Sequence, residues 1–193
     1  MMRRALFVAF LGAVMAGGTC QRLPERQWER GAFEPIGGKP FRLPNGVAVF
    51  SCFGYEDEIP TSFLPLEMVL RNTTTKAVNI QMPAGLVFEP SDREYQYMML
   101  LKSFSFTAPA DTDTVCLLPT YCCNFDLDTP DEESNYAIAL QVWERELNEL
   151  FELVKEKRLD TEDAVDLAQD ALYEITDGNG LTDSTRAALQ RLP

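Results

Sequence analysis

Between residues 41 and 125 the apolar positions come in short runs, each closed by Pro, Gly, Asn, Asp or another turn-forming residue. That texture belongs to strands joined by turns. The runs are VAVFSC (47–52), LEMVL (66–70), VNIQM (78–82), YQYMMLL (95–101), SFSFT (103–107), TVCLL (114–118) and YCCNF (121–125). In VNIQM, Val78, Ile80 and Met82 alternate with Asn79 and Gln81, so one face is apolar and the other polar. RNTTTK (71–76) reads as a polar connection, and PAG (83–85) and PAD (109–111) read as corners. The pattern predicts an antiparallel β-sandwich, immunoglobulin-like or prealbumin-like, over residues 41–128.

After the acidic break DTPDEES (128–134) the apolar period lengthens from two to about three and a half. Leu140, Trp143, Leu147, Leu150, Phe151 and Val154 then fall on one helical stripe, with Glu144, Arg145, Glu146, Glu149 and Glu152 mostly off it. Asp160, with Asp163 at the N3 position, is placed to cap a second helix whose apolar side is Ala164, Val165, Ala168, Ala171, Leu172 and Ile175. Thr182 or Asp183 can start a third, carrying Ala187, Leu189 and Leu192. The expected fold class is therefore α+β, a sandwich followed by a helical segment of about three helices over residues 134–193.

The N-terminus changes the picture of where this fold works. Arg3 and Arg4 precede an apolar run over residues 5–16, followed by Gly17, Gly18, Thr19 and Cys20. That is the layout of a bacterial export signal over residues 1–19, because a mature membrane span needs about 18 or more apolar residues. A cysteine directly after small residues makes Cys20 the candidate for lipidation, which would tether the protein to a membrane; cleavage after Ala16 or Gly18 would instead release it as a soluble secreted protein. Residues 20–40, with Pro24, Pro35, Pro40 and Gly37-Gly38, read as a tether leading into the first strand.

Charge and composition narrow the function. The full chain carries 17 basic and 30 acidic side chains, a net charge of −13, and losing Arg3 and Arg4 takes the balance to −15. Such a surface disfavours nucleic acid as a partner and favours solubility. The chain has no histidine, which removes Ser-His-Asp and Cys-His catalysis and every His-based metal site. It also lacks a glycine-rich phosphate loop, and no cofactor is expected. The stretch Asp177 to Gly180 (DGNG) resembles part of a calcium loop. However, one register puts Ile175 and Arg186 at the acidic positions 1 and 12, and the other puts Thr182 where glycine is needed. A turn between two helices remains, and no metal site is expected.

Setting Cys20 aside leaves Cys52, Cys116, Cys122 and Cys123, an even number in an oxidising compartment. Two disulfides are the leading expectation. Neighbouring strand residues point to opposite faces, so Cys122 and Cys123 should have different partners, one of them Cys116 across the intervening turn and the other Cys52. A single bridge with two free thiols and a vicinal Cys122–Cys123 bond are the alternatives. Tyr95, Tyr97, Phe104 and Phe106 are candidates for an aromatic platform or for core, and Glu56-Asp57-Glu58 and residues 126–133 for solvated loops. Asn72-Thr73-Thr74 matches a glycosylation sequon, but behind a bacterial signal it reads as a turn.

The order Asn72-Thr73-Thr74, residues 83–88 (PAGLVF), Gln96, Pro109-Ala110 and Tyr121-Cys122-Cys123-Asn124, with Gln169, Ala171, Tyr173 and Thr176-Asp177-Gly178 beyond it, resembles a group of bacterial secreted proteins with an immunoglobulin-like β-domain and a helical tail. The resemblance covers residues 66–178 and implies architecture without assigning a site. Together these readings lead to the expectation of a non-enzymatic, extracytoplasmic envelope lipoprotein or secreted protein, with a binding or assembly role toward a protein or glycan. The rival is an extracytoplasmic hydrolase using acidic residues or a free cysteine, which demands a concave pocket gathering carboxylates or a thiol.

Overall fold

The structure is a computed structural model that describes residues 33–193 apart from 36 and 179. The export signal and Cys20 lie outside the described residues. Ten strands and three helices follow one another as β1 (Gly38–Pro40), β2 (Val47–Gly54), β3 (Leu66–Asn72), β4 (Val78–Met82), β5 (Leu86–Pro90), β6 (Met98–Leu100), β7 (Phe104–Ala108), β8 (Thr112–Leu118), β9 (Thr120–Cys122), β10 (Tyr136–Val142), α1 (Arg145–Val154), α2 (Glu162–Thr176) and α3 (Asp183–Arg191). The fold class is α+β, and every strand pairing within the sheets is antiparallel.

The strands form a five-stranded sheet in the order β1-β10-β5-β6-β9, a three-stranded sheet β2-β3-β8 and a two-stranded ribbon β4-β7. Two cores arise from this division. The first collects Cys52, Leu66, Met68, Leu70, Cys116 and Leu118 from the three-stranded sheet, Ile80, Met82 and Ala108 from the ribbon, and Leu86, Phe88, Met98, Leu100, Cys122 and Tyr136 from the five-stranded sheet. The second sets Val87, Met99, Leu101, Tyr121, Cys123 and Val142 against Leu147, Leu150, Phe151, Val154, Ala168, Leu172, Ile175 and Leu189 of the helices. Successive residues of the five-stranded sheet thus alternate between cores: Leu86, Phe88, Met98 and Leu100 face one way, Val87, Met99 and Leu101 the other. The sheet is a middle layer, covered on both faces at β5, β6 and β9.

The outer strands follow the alternation that the sequence displays. In β4, Ile80 and Met82 are buried while Asn79 and Gln81 are exposed, and in β3 Leu66, Met68 and Leu70 point inward. The RNTTTK connection is held by Asn72, which is fully buried. Its Nδ2 donates to the carbonyls of Lys76, Ala108 and Pro109, and its Oδ1 accepts from the Thr74 amide and hydroxyl. The PAG corner passes the chain from the ribbon to the middle sheet. Gly85 sits there at φ +76, with the Phe151 ring of α1 where a Cβ would go, so both backbone and packing require glycine.

The second helix matches its sequence signal closely; of the residues expected on the third, Leu189 is buried, Ala187 is half-buried and Leu192 follows the helix as its C-cap. All six apolar residues expected on the inner side of α2 are buried. Thr161, rather than Asp160, is its N-cap and accepts from the Ala164 amide, while Asp160 pairs with Arg158 at 2.6 Å. Thr182 caps α3 as expected, accepting from the Thr185 amide, and the Gly180 amide donates to the Glu174 carbonyl between the two helices. Among the described residues, no helix is long and apolar enough to cross a membrane.

Three expectations are corrected. Residues 134–193 are not helical from their start: Tyr136–Val142 is a strand, and α1 begins only at Arg145. The Ala-Ile-Ala-Leu-Gln stretch suits either state locally, but pairing with β5 on one side and β1 on the other supplies a ladder that outweighs propensity. Leu140 therefore belongs to the sheet, and Trp143, at 52% exposure, lies off any buried helical stripe. The described part of the tether is not a loose linker either, since Gly38–Pro40 pairs with β10 and Phe33 is buried against Tyr97 with ring centroids 6.1 Å apart. Finally, residues 86–90 form a strand, whereas only Met98–Leu100 of residues 95–101 do.

Candidate functional site

Where β1 and β10 of the middle sheet approach the end of the β4-β7 ribbon, the surface opens into a groove of about 860 Å³. Two cross-strand registers build it. Lys39 stands opposite Gln141 on the β1-β10 ladder, and Gln81 opposite Ser105, with Met82 opposite Phe104, on the ribbon. Phe41 and Arg42 continue from β1, while Pro83 and Ser103 close the ends. Gln141 is fixed by donating from Nε2 to the Ala84 carbonyl at 3.0 Å.

The groove's charge sets it apart from the rest of the molecule. Its lining includes two cations, Lys39 and Arg42, and no carboxylate, in a chain with nearly twice as many acids as bases. Both side chains belong to exposed residues, and neither makes an ion pair among the described residues. The remaining lining mixes the Ser103 and Ser105 hydroxyls and the Gln81 amide with apolar Pro40, Phe41, Met82, Pro83 and Phe104. Chemically this surface can hold an anionic, partly apolar ligand; its lining includes no carboxylate and no thiol.

The sequence-derived candidates lie elsewhere. All four described cysteines are free and buried. Cys122 enters the core between the sheets, together with Cys52 and Cys116, whereas Cys123 enters the core beneath the helices, where no other cysteine lies among the described residues. The neighbours do point to opposite faces, but Cys123 then has no partner for a second bridge. Cys52 and Cys116 both stand opposite Met68, one on each side of β3. Two strand spacings separate their backbones by about 10 Å, beyond the roughly 7 Å a disulfide spans. Burial pushes the thiols of Cys52, Cys116 and Cys122 up to about 12, and that of Cys123 well above its ordinary value. None is a ready thiolate.

Of the motif residues of the resemblance, Gln96, Cys122, Asn124, Gln169 and Tyr173 form a seam between the middle sheet and the helices. Gln169 of α2 accepts from the Cys122 amide through Oε1 and donates to the Cys122 carbonyl through Nε2, both at 2.8 Å. Its side chain thus takes the place of a neighbouring peptide on the outer edge of β9. Ser62 Oγ and the Leu64 amide cover the same edge at the Thr120 carbonyl. Beside them, Gln96 Oε1 accepts from the Asn124 amide and the Tyr173 hydroxyl, and its main-chain carbonyl accepts from the Tyr136 hydroxyl, each at 3.2 Å. Asn124 in turn accepts from the Tyr97 amide and donates to the Phe33 carbonyl. Neutral amides satisfied in this way tie layers together and have no free group to act on a substrate.

The four candidate aromatics do not share a platform. The Tyr95 hydroxyl donates to Asp131 and that of Tyr97 to Glu89. Phe104 and Phe106 pack against each other, 5.7 Å between centroids, on the side of the inter-sheet core. Sequence reasoning missed Lys39, Arg42 and the rest of the groove because its lining comes from four separated segments. The only local signal was GGKPFR, two cations close together in an acidic chain. No protein-family model, curated protein or solved structure matches this chain.

Proposed function

We propose that this chain is a non-enzymatic bacterial envelope protein, exported by residues 1–19, tethered by lipid at Cys20 or else secreted, and that the Lys39/Arg42 groove is its binding surface for a protein or glycan. The observation carrying this reading is a concavity that gathers two cations and apolar surface, with no ion pair to either cation and no carboxylate in the lining among the described residues. A hydrolase of the acidic or thiol kind would need the opposite lining, and the described thiols are buried and protonated. Two sheet layers sharing one core support an immunoglobulin-like or prealbumin-like sandwich as the scaffold, and the Gln96, Asn124, Gln169 and Tyr173 seam gives the shared motif order an architectural meaning.

Two measurements test the reading. Intact mass of the protein extracted from membranes should show a diacylglycerol-modified chain beginning at Cys20; a mass lacking lipid replaces the anchor with soluble secretion. The protein should co-sediment with isolated cell envelopes stripped of lipid, and Lys39→Glu with Arg42→Glu should release it without lowering its melting temperature. Retention unaffected by the charge reversal removes the groove as the binding surface.

A further inference from the structure

The groove also carries information about its ligand. We infer that it binds an acidic glycan, a chain of sugars bearing carboxylates, and this inference rests on the binding reading above. Lys39 and Arg42 are three residues apart, so their backbones can be separated by up to about 10 Å. Two separate cations on one wall offer two points of attraction, which suits a ligand with repeating negative groups. The nearby donors are side-chain hydroxyls and amides, Ser103, Ser105 and Gln81, which match sugar hydroxyls. Phe41 and Phe104 supply half-buried apolar surface for the C–H faces of sugar rings.

An acidic peptide is the competing ligand of the same charge, and the walls argue against it. An extended peptide gains affinity by adding a strand to a sheet edge. Here β1 has only three residues and ends in Pro40, and Pro83 follows β4, so two wall positions lack an N–H. Fewer main-chain donors leave more of the recognition to side chains, as in sugar binding.

The test uses the full chain in neutral detergent, titrated calorimetrically with oligogalacturonate, with a neutral oligoglucan of the same length and with polyglutamate. Oligogalacturonate should bind saturably, about tenfold or more tighter than either alternative, and should weaken as salt is raised. Lys39→Ala with Arg42→Ala should cost about tenfold or more, whereas Arg145→Ala with Arg191→Ala, two exposed cations on the helices, should leave affinity unchanged. Equal binding of polyglutamate, an equal loss in the helix variant, or no saturable binding of oligogalacturonate overturns the glycan assignment. If that assignment falls while envelope co-sedimentation still depends on Lys39 and Arg42, the binding role of the groove stands and only the ligand class is wrong.

Discussion

The five-stranded sheet and the β2-β3-β8 sheet are built by the same chain, yet they meet their surroundings differently. The β2-β3-β8 sheet has one buried face; on the other, Val115 is 60% exposed and Phe50, at a register shift in β2, is 73% exposed. The β5, β6 and β9 strands of the five-stranded sheet are covered on both sides, by the other strands and by the helices. A sheet with one wet face alternates in sequence, whereas a sheet with none reads as unbroken apolar runs. Hence Met98-Met99-Leu100-Leu101 and Tyr121-Cys122-Cys123: each neighbour fills a different core. The paired cysteines are packing residues of a two-faced strand.

That contrast can be broken most forcefully at adjacent positions. Met98→Ala and Met99→Ala should each destabilise the protein by about 2–5 kcal/mol in urea unfolding, because each opens a cavity in its own core. A near-neutral result for either would mean that one face of the middle sheet is not truly covered. Next in size, Gln169→Ala should cost about 2–3 kcal/mol by leaving the Cys122 amide and carbonyl buried without partners. Hydrogen exchange should then show β9 losing protection before β3.

Alkaline titration samples the core between the sheets, where three of the thiols lie. Burial holds the folded thiols of Cys52, Cys116 and Cys122 up at about 12, against an ordinary 9.0. The unfolded chain therefore loses its thiol protons first, so this contribution is fully present below pH 9 and is lost as pH rises from 9 toward 12. By pH 10 each thiol should have withdrawn about 1 kcal/mol. Cys116→Ala should reduce the slope, and an unchanged slope would mean that the thiol is more accessible than its packing implies. The smallest effect belongs to the wet face, where Val115→Thr should stay within about 0.5 kcal/mol of the parent protein.

How much was legible follows the same division. The strands around Val47, Leu66, Val78, Phe104 and Thr112, with one buried face or an exposed edge, are visible as alternation or as bounded runs, and the α2 pattern and the Thr182 cap of α3 can be read residue by residue. Gly38–Pro40, Leu86–Pro90 and Tyr136–Val142 escape notice, and all three are strands of the middle sheet. In Leu86–Pro90 the periodicity is erased by burial on both faces, in β1 by having only three residues, and in Tyr136–Val142 by partial burial along the strand, which leaves neither face plainly polar. The groove is harder still, because it forms only when residues 39–42, 81–83, 103–105 and 141 are brought together.

The sequence by itself determined an acidic, histidine-free chain with β-rich and helical parts, because composition and periodicity are local properties of the polymer. Only the tertiary structure decided that Cys122 and Cys123 serve two cores, that Gln169 closes the edge of β9, and that Lys39 and Arg42 share a groove with Gln81 and Phe104. Each of these depends on which surfaces meet when the layers stack, a relation between distant segments that no local pattern encodes.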